Sequence, residues 1–189
     1  MISVNPSRRS IIAGAAALLP PVGKAQSFGR IARPELVRML LNQEATEMGQ
    51  GALVQVLVSP GCVESSLLLN AAETLLDRCR WRFIVFAGPV TVARENVARQ
   101  RGARDFRSLA ALVREDAQSA TAAPSSSQLS AVMEQDREIE MKIGRLLWEA
   151  TFSAFATPTA VFTDSAGLVR VVRGNPRPED VSWIVSEAR

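Results

Sequence analysis

The stretch ALVQVLVSPGCVESS, residues 52–66, decides the fold of this chain. Its first half, 53–58, is a short apolar run rich in β-branched residues, and such a run predicts a buried strand. Pro60 and Gly61 end this strand. The apolar residues that follow recur at helical spacing: Leu68, Ala72, Leu75, Leu76 and Cys79. The sequence therefore predicts a strand, a tight turn and a helix, with Cys62 in the first turn of that helix.

The position of Cys62 has a chemical consequence. The first turn of a helix carries unpaired backbone N–H groups and the positive end of the helix dipole, which favour a thiolate over a thiol. Glu64 lies in the same turn, and its negative charge opposes this effect. We therefore expect a moderately reactive thiol at Cys62, and no other residue is as good a candidate nucleophile.

The composition excludes several classes of active site. The chain of 189 residues contains no His and only two Cys. A zinc centre usually draws on several Cys and His ligands, so we expect no metal site. Ser-His-Asp and Cys-His catalysis both need an imidazole base, which is absent. We expect no cofactor.

A second short segment, ATPT at 156–159, completes a pattern that begins at residue 52. The strand, proline, cysteine and helix, followed much later by Thr-Pro before a hairpin, resemble the thioredoxin fold. In particular they resemble the catalytic domain of periplasmic disulfide isomerases of the DsbC and DsbG type. The likeness covers roughly 51–189 and includes TPTAVFTDSAGLVRVVRGNPRPEDVSWIV at 157–185. It implies an α/β, thioredoxin-like fold with a helical insertion at about 91–150.

The resemblance also implies which residues form the site. In that family the proline that matches Pro158 is cis and faces the nucleophilic cysteine. The residue before it, here Thr157, offers backbone groups to an extended substrate. The family has Cys-x-x-Cys where this chain has Cys-Val-Glu-Ser at 62–65. The implied site residues are therefore Cys62, Ser65, Thr157 and Pro158, with a degenerate Cys-x-x-Ser centre.

Two further departures from the family pattern lie in the turn. The chain has Ser59 where the family has Asp, and Gly61 where the family usually has an aromatic residue. These departures weigh toward loss of redox chemistry, whereas Pro60, Cys62 and the Thr-Pro pair weigh toward its retention.

Ser65 limits the chemistry of the single thiol. In a Cys-x-x-Cys pair the second thiol attacks a mixed disulfide and releases the substrate, which a hydroxyl cannot do. Ser65 can at most hydrogen-bond the Cys62 thiolate. Cys79 is not expected to resolve the mixed disulfide, because along one helix it would lie roughly 25 Å from Cys62. We expect Cys79 to be a buried structural thiol on the apolar stripe of that helix.

Residues 1–25 are typical of an export signal. Arg8 and Arg9 precede an apolar run at 11–19, and a small-residue cleavage site follows at 23–25. The paired arginines favour the twin-arginine route, with a general secretory signal as the open alternative. We expect cleavage near Ala25 and a periplasmic location. The rest of the chain then carries equal numbers of basic and acidic residues, so we expect no nucleic-acid partner.

The remaining segments alternate between helix and strand patterns. Residues 26–50 contain a short lead and a helix at 34–48. The other predicted elements are a strand at 81–86, helices at 91–101 and 105–115, a loop at 117–127, an amphipathic helix of about twenty residues from Gln128, strands at 159–163 and 168–173, and a helix from about Pro178. The predicted organisation is thus an export signal at 1–25, a lead and helix at 26–50, and one thioredoxin-like domain at 51–189.

Two functions from different classes are compatible with these features. The first is thiol-disulfide exchange through Cys62 by an exported, monothiol, isomerase- or reductase-like protein. Its partners would be exported cysteine-containing proteins or peptides, with glutathione or a membrane redox partner to resolve the mixed disulfide. The alternative is a redox-inactive thioredoxin-fold binding or assembly module in the bacterial envelope. An unrelated secreted α/β domain is the third interpretation.

We expect the protein to be a monomer. The resembling isomerases dimerise through a separate amino-terminal domain, and 26–50 is too short to supply one. One short amphipathic helix buries only a few hundred Å² per partner, below the roughly 800 Å² per side that is typical of a stable interface.

Overall fold

The computed structural model describes residues 29–100, 105–114, 123–174 and 177–189. The predicted export signal at 1–25 lies outside the described residues. The elements in chain order are β1 (Arg30–Ala32), α1 (Glu35–Leu41), β2 (Thr46–Gly49), β3 (Ala52–Val58), α2 (Val63–Glu73), β4 (Cys79–Val85), α3 (Thr91–Gln100), α4 (Phe106–Val113), α5 (Ser126–Glu138), a π-helical segment (Ile139–Ile143), α6 (Gly144–Thr151), β5 (Thr159–Thr163), β6 (Val169–Arg173) and α7 (Pro178–Glu187). None of the helices in these ranges is long and apolar enough to cross a membrane.

The strands form one sheet in the order β1-β6-β5-β3-β4-β2. β3 and β4 run parallel, and every other neighbouring pair is antiparallel. The central strand β3 pairs with β4 on one side and with β5 on the other, so that Val54 lies between Trp81 and Phe162. The unit β3-α2-β4, a helical insertion, the β5-β6 hairpin and α7 give the predicted α/β, thioredoxin-like fold.

Helices cover both faces of the sheet. Because successive residues of a strand point to opposite faces, Val54, Val56 and Val58 join α2, α4 and α7 in one apolar cluster. Leu57 joins α1, the π-helical segment and α6 in the cluster on the other face. β3 is therefore covered on both sides, which explains its nearly continuous apolar sequence.

The helical insertion between β4 and β5 runs from α3 to α6. Its helices pack on one another around a small apolar cluster that includes Val97, Leu112 and Val132. Ser125 and Gln128 form a capping box at the start of α5. From there α5, the π-helical segment and α6 follow one another in helical conformation up to Thr151. The amphipathic helix predicted from Gln128 is therefore real and starts two residues earlier.

Residues 26–50 differ from the prediction. The helix predicted at 34–48 ends at Leu41, and Thr46–Gly49 forms β2, which pairs with β4. Arg30–Ala32, predicted as a lead, forms β1 and pairs with β6. Both are short edge strands made by pairing with a neighbour far along the chain, so local sequence patterns did not indicate them.

The end of α2 also differs from the prediction. The helix stops at Glu73, and Cys79, predicted on its apolar stripe, is instead the first residue of β4. Gly49 packs against the segment that follows α2, so close to the carbonyls of Leu76 and Cys79 that a Cβ atom would clash with them. Gly49 has a φ of 83°, which also favours glycine.

Arg82 is a buried cation that fastens α1 and the start of β2 to the sheet. Its guanidinium donates to the carbonyl oxygens of Leu40 at 2.6 Å, Leu41 at 3.0 Å and Gln43 at 2.5 Å. Its Nε donates to Glu47 at 2.8 Å. The arginine therefore satisfies the last carbonyls of α1, which have no partner within the helix.

We predict that Arg82→Met lowers the free energy of unfolding by about 2–4 kcal/mol, because several buried carbonyl oxygens lose their donor. Arg80 is exposed on the same strand and is the matched control. We expect Arg80→Met to change stability by less than about 0.5 kcal/mol. Urea unfolding followed by circular dichroism measures both. Equal effects of the two substitutions would contradict the role given to Arg82.

Asp136 connects the insertion to the end of β4. Its Oδ1 accepts from the backbone N–H of Ala87 at 3.1 Å, and its Oδ2 lies 3.5 Å from Nε of Arg94. The residue is only 2% exposed. Burial raises the pKa of Asp136 to about 6, against the bond from Ala87 and the charge of Arg94, while Glu140 adds to the rise.

This pKa makes the stability of the protein pH-dependent. The folded chain holds the Asp136 proton more tightly than the unfolded chain does, so this stabilising contribution is complete below pH 3.8 and is lost as the pH rises through about 6. Asp136→Asn removes this pH-dependent loss of stability. We predict that the free energy of unfolding of the variant, relative to that of the wild type, rises by on the order of 2 kcal/mol as the pH increases from about 4 to about 7.5. Urea unfolding at a series of pH values tests this, and a constant difference would contradict it.

Candidate functional site

Cys62 lies in the turn between the end of β3 and the start of α2. It is the N-cap residue of α2, its N–H donates to Ser59 O at 3.3 Å, and its carbonyl accepts from the N–H of Ser66 at 3.1 Å. The side chain is partly exposed. The sequence prediction of Cys62 at a strand-to-helix junction agrees with this geometry.

Gly61 shapes the turn in front of the cysteine. Its φ is 69°, in the left-handed region that favours glycine. Its N–H donates to the carbonyl of Val113, the last residue of α4, at 2.9 Å. The insertion helix thus fastens the turn, and an aromatic residue at this position would be strained.

The segment at 156–159 lies next to Cys62. The peptide bond between Thr157 and Pro158 is cis, and Sγ of Cys62 lies 3.5 Å from the carbonyl oxygen of Thr157. Pro158 is buried, and its carbonyl accepts from the N–H of Gly174 at 3.1 Å. The structure therefore brings together Cys62, Thr157 and Pro158, which are distant in sequence.

The hydroxyl of Ser65 bonds to the backbone of the turn and not to the sulfur, the one interaction with Cys62 that the sequence analysis left open to it. The Ser65 side chain is fully buried, and its Oγ accepts from the N–H of Ser59 at 3.3 Å. The hydroxyl therefore supports the turn at the end of β3. Among the hydrogen bonds of the described residues, none joins Ser65 to Cys62.

Two acceptor oxygens face the sulfur of Cys62. One is the Thr157 carbonyl, and the other is Oε2 of Glu64, also at 3.5 Å. The thiol can donate its single hydrogen to either oxygen. The carboxylate of Glu64 also places a negative charge next to the sulfur.

Arg173 is a residue of this region that sequence reasoning missed. It stands opposite Thr159 in the β5-β6 pairing, and its guanidinium donates to Oγ1 of Thr151 at 2.8 Å and to the Ser153 carbonyl at 3.2 Å. It also contacts the Ser153 hydroxyl and the Ala154 carbonyl. Burial lowers the pKa of the Arg173 guanidinium. The arginine thus holds the loop that leads to Thr157.

An aromatic pair supports the same loop. Phe155 packs edge-to-face against Phe86, with ring centroids 4.9 Å apart. Phe86 directly follows β4, and its N–H donates to the carbonyl of Val58 at 2.8 Å. Contacts therefore connect the loop before β5 to the carboxyl ends of β3 and β4, and Cys62 lies at this end of the strands. No local sequence signal indicated this pair.

Cys79 lies at the opposite end of the central strands from Cys62. It pairs with Ala52 at the start of β3, whereas Cys62 follows the end of that strand. Seven residues of strand span about 20 Å, far beyond disulfide distance. Both cysteines are free, and Cys79 is fully buried. It is the buried thiol that we expected, although it lies in a strand and not in a helix.

Among the described residues, no group of three or more Cys, Asp or Glu side chains is arranged to hold a metal ion.

We predict that iodoacetamide modifies Cys62 and spares Cys79 in the folded protein. Cys62 is partly exposed, whereas Cys79 is inaccessible and burial raises its pKa, with the charge of Arg78 opposing this in part. Both effects slow alkylation of Cys79. Peptide mapping by mass spectrometry gives the extent at each site, and the urea-unfolded chain, in which both react, is the control. Modification of Cys79 at the rate of Cys62 would contradict the burial described here.

No protein family model matches the chain, and no curated protein matches its sequence. Several solved structures are similar to it, among them the following two. A periplasmic thioredoxin-like protein from Salmonella enterica serovar Typhimurium is 12% identical, with a TM-score of 0.46 over 82% of this chain and 95% of that one. The thiol-disulfide exchange protein alpha-DsbA2 from Wolbachia pipientis is 11% identical, with a TM-score of 0.42 over 80% of this chain and 91% of that one.

Proposed function

We propose that this chain is an exported, monothiol thioredoxin-like protein that performs thiol-disulfide exchange through Cys62. The observation that carries the proposal is the meeting of Cys62 with the Thr157 carbonyl, 3.5 Å from the sulfur, beside a cis proline. Cys62 is a partly exposed residue at the amino terminus of α2, a position typical of reactive thiols.

The exchange has two steps with one protein thiol. The Cys62 thiolate attacks one sulfur of a substrate disulfide, a new S–S bond forms, and the other substrate sulfur leaves with the electron pair of the broken bond. The mixed disulfide is then attacked by a second thiol, from the substrate, glutathione or a membrane redox partner, which restores Cys62. When that second thiol belongs to the substrate, the net result is isomerisation.

The more specific parts of the proposal rest on the sequence. The pattern around Cys62 and Pro158 favours the DsbC and DsbG type of isomerase or reductase. The segment 1–25 favours export to the periplasm, with cleavage near Ala25. The partners would then be exported proteins or peptides that contain cysteine, and the protein would act as a monomer. We propose that the protein does not bind nucleic acid.

Covalent trapping tests the function. The protein is purified from its native envelope after rapid acid quenching and alkylation, and disulfide-linked partners are identified by mass spectrometry. We expect partners with the wild type and with Cys79→Ser, and none with Cys62→Ser. Native co-purification of the same three proteins without quenching tests the alternative, and identical noncovalent partners together with no disulfide-linked ones would favour the redox-inactive assembly module. The intact mass of the same sample shows whether the mature chain begins near residue 26.

We predict that Ser65→Cys converts the protein from a monothiol to a dithiol. Residues three apart in the first turn of a helix lie close enough for a disulfide. The variant should lose both thiols of the pair under glutathione disulfide and should reduce insulin faster than the wild type, by about tenfold or more. Glu73→Cys is the control, because Glu73 is exposed at the far end of α2, roughly 16 Å along the helix from Cys62 and beyond disulfide distance. An equal insulin rate in the wild type would contradict the limitation assigned to Ser65.

A further inference from the structure

The proposed exchange reaction leaves open which disulfides the site accepts, and the charges near the sulfur bear on this question. Oε2 of Glu64 lies 3.5 Å from Sγ of Cys62. Glu64 occupies the first turn of α2 and is partly exposed, so its charge faces the solvent from which a disulfide arrives. A charge so close to the reacting sulfur acts on the approaching substrate as well as on the thiol.

Two arginines on elements that adjoin the site are engaged elsewhere. Arg114, at the end of α4, donates to Oδ1 of Asn70 on α2. Arg173 donates to the loop at 151–154. Among the hydrogen bonds in the described part of the chain, Glu64 is the one charged group that bonds to the sulfur.

We propose that Glu64 makes Cys62 select disulfides flanked by cationic groups over anionic ones. The preferred substrates are disulfides with Lys or Arg side chains next to the cysteine, and the disfavoured ones include glutathione disulfide. This inference rests on the proposed exchange function and names the substrate class of the same site.

The reaction itself is balanced without any further reagent. The Cys62 thiolate attacks one sulfur, the substrate S–S bond breaks, and the departing thiolate takes a proton from solvent. The Cys62 sulfur is oxidised and the departing sulfur is reduced. A cationic group on the attacked half comes near Glu64 in the transition state and is attracted, whereas a carboxylate in the same place is repelled.

The size of the effect follows from Coulomb's law near a protein surface. A unit charge about 5 Å from Glu64 in a water-like dielectric changes the rate about fourfold, so opposite charges on two substrates differ by about tenfold or more. Screening by salt reduces the difference, since the Debye length falls from about 10 Å at 0.1 M to about 3 Å at 1 M.

A series of small disulfides tests the proposal. Cystamine is cationic, 2-hydroxyethyl disulfide is neutral and glutathione disulfide is anionic. All proteins carry Cys79→Ser, so that only Cys62 reacts, and mass spectrometry follows formation of the mixed disulfide. Comparing each reagent between the parent and Glu64→Gln removes its intrinsic reactivity. We expect the ratio of the cystamine rate to the glutathione disulfide rate to fall about tenfold in Glu64→Gln.

Two further variants separate charge from structure. Glu64→Asp keeps the charge and should keep most of the ratio. Glu73→Gln removes a carboxylate from the last turn of the same helix and should leave the ratio unchanged. In 1 M NaCl the parent and Glu64→Gln should approach each other.

The outcomes distinguish this inference from the function on which it rests. Reaction of the neutral disulfide with an unchanged cystamine to glutathione disulfide ratio in Glu64→Gln overturns the selectivity and leaves the exchange function standing. No mixed disulfide from any of the three reagents, the neutral one included, overturns the exchange function itself. A uniform change of all three rates also overturns the selectivity, because it shows an effect on the thiol alone.

Discussion

The antiparallel pairing of β3 with β5 at the centre of the sheet is the constraint on which the site depends. In the register of this pair Leu57 stands opposite Thr159. The turn that follows β3 must therefore lie beside the loop that precedes β5, and Cys62 meets Thr157 although the two are 95 residues apart. A slip of one residue would turn the buried side chains of β5 to the other face of the sheet, so the apolar packing on both faces fixes the geometry of the site.

The parts of the fold that the sequence predicted are those with a strong local signal. The strands at 53–58 and 159–163 are apolar runs bounded by turn residues, and α7 begins at Pro178, where proline suits the first turn of a helix. The edge strands β1 and β2 have only three and four residues. They form by hydrogen bonding to the otherwise unpaired edges of β6 and β4, and no local sequence pattern predicts such pairing.

The same division applies to the candidate site. Residue chemistry alone singled out Cys62, and the resemblance added Thr157 and Pro158. The hydrogen bond from the Ser59 N–H to the Ser65 hydroxyl is local in sequence, but it depends on the conformation of the turn between the two residues. The hydrogen bond of Arg173 to Thr151 joins residues that are 22 apart and depends on the placement of the β5-β6 hairpin, which no local pattern indicates.

Two buried charges join the outer elements to the sheet with opposite energetic consequences. Arg82 gives its donors to α1, the start of β2 and Glu47, and so stabilises the fold around it. Asp136 has one oxygen without a hydrogen bond and a raised pKa, so its charged form is a cost to the folded state. Through Ala87 it nevertheless fixes the segment that carries Phe86, which packs against the loop of the site.

In a site with one thiol, the mixed disulfide forms and is resolved by the same reversible reaction. The step that forms a mixed disulfide and the step that resolves it pass through the same arrangement of three sulfurs in line, run in opposite directions. Under the proposed selectivity, the charge of Glu64, 3.5 Å from the Cys62 sulfur, would act on the resolving thiol as it acts on the entering disulfide. In the proposed exchange Ser65 cannot release the substrate, so an outside thiol would set the lifetime of the mixed disulfide, and a cationic thiol would resolve it faster than glutathione. A serine at position 65 would thus leave the rate of release to the charge of the resolving thiol.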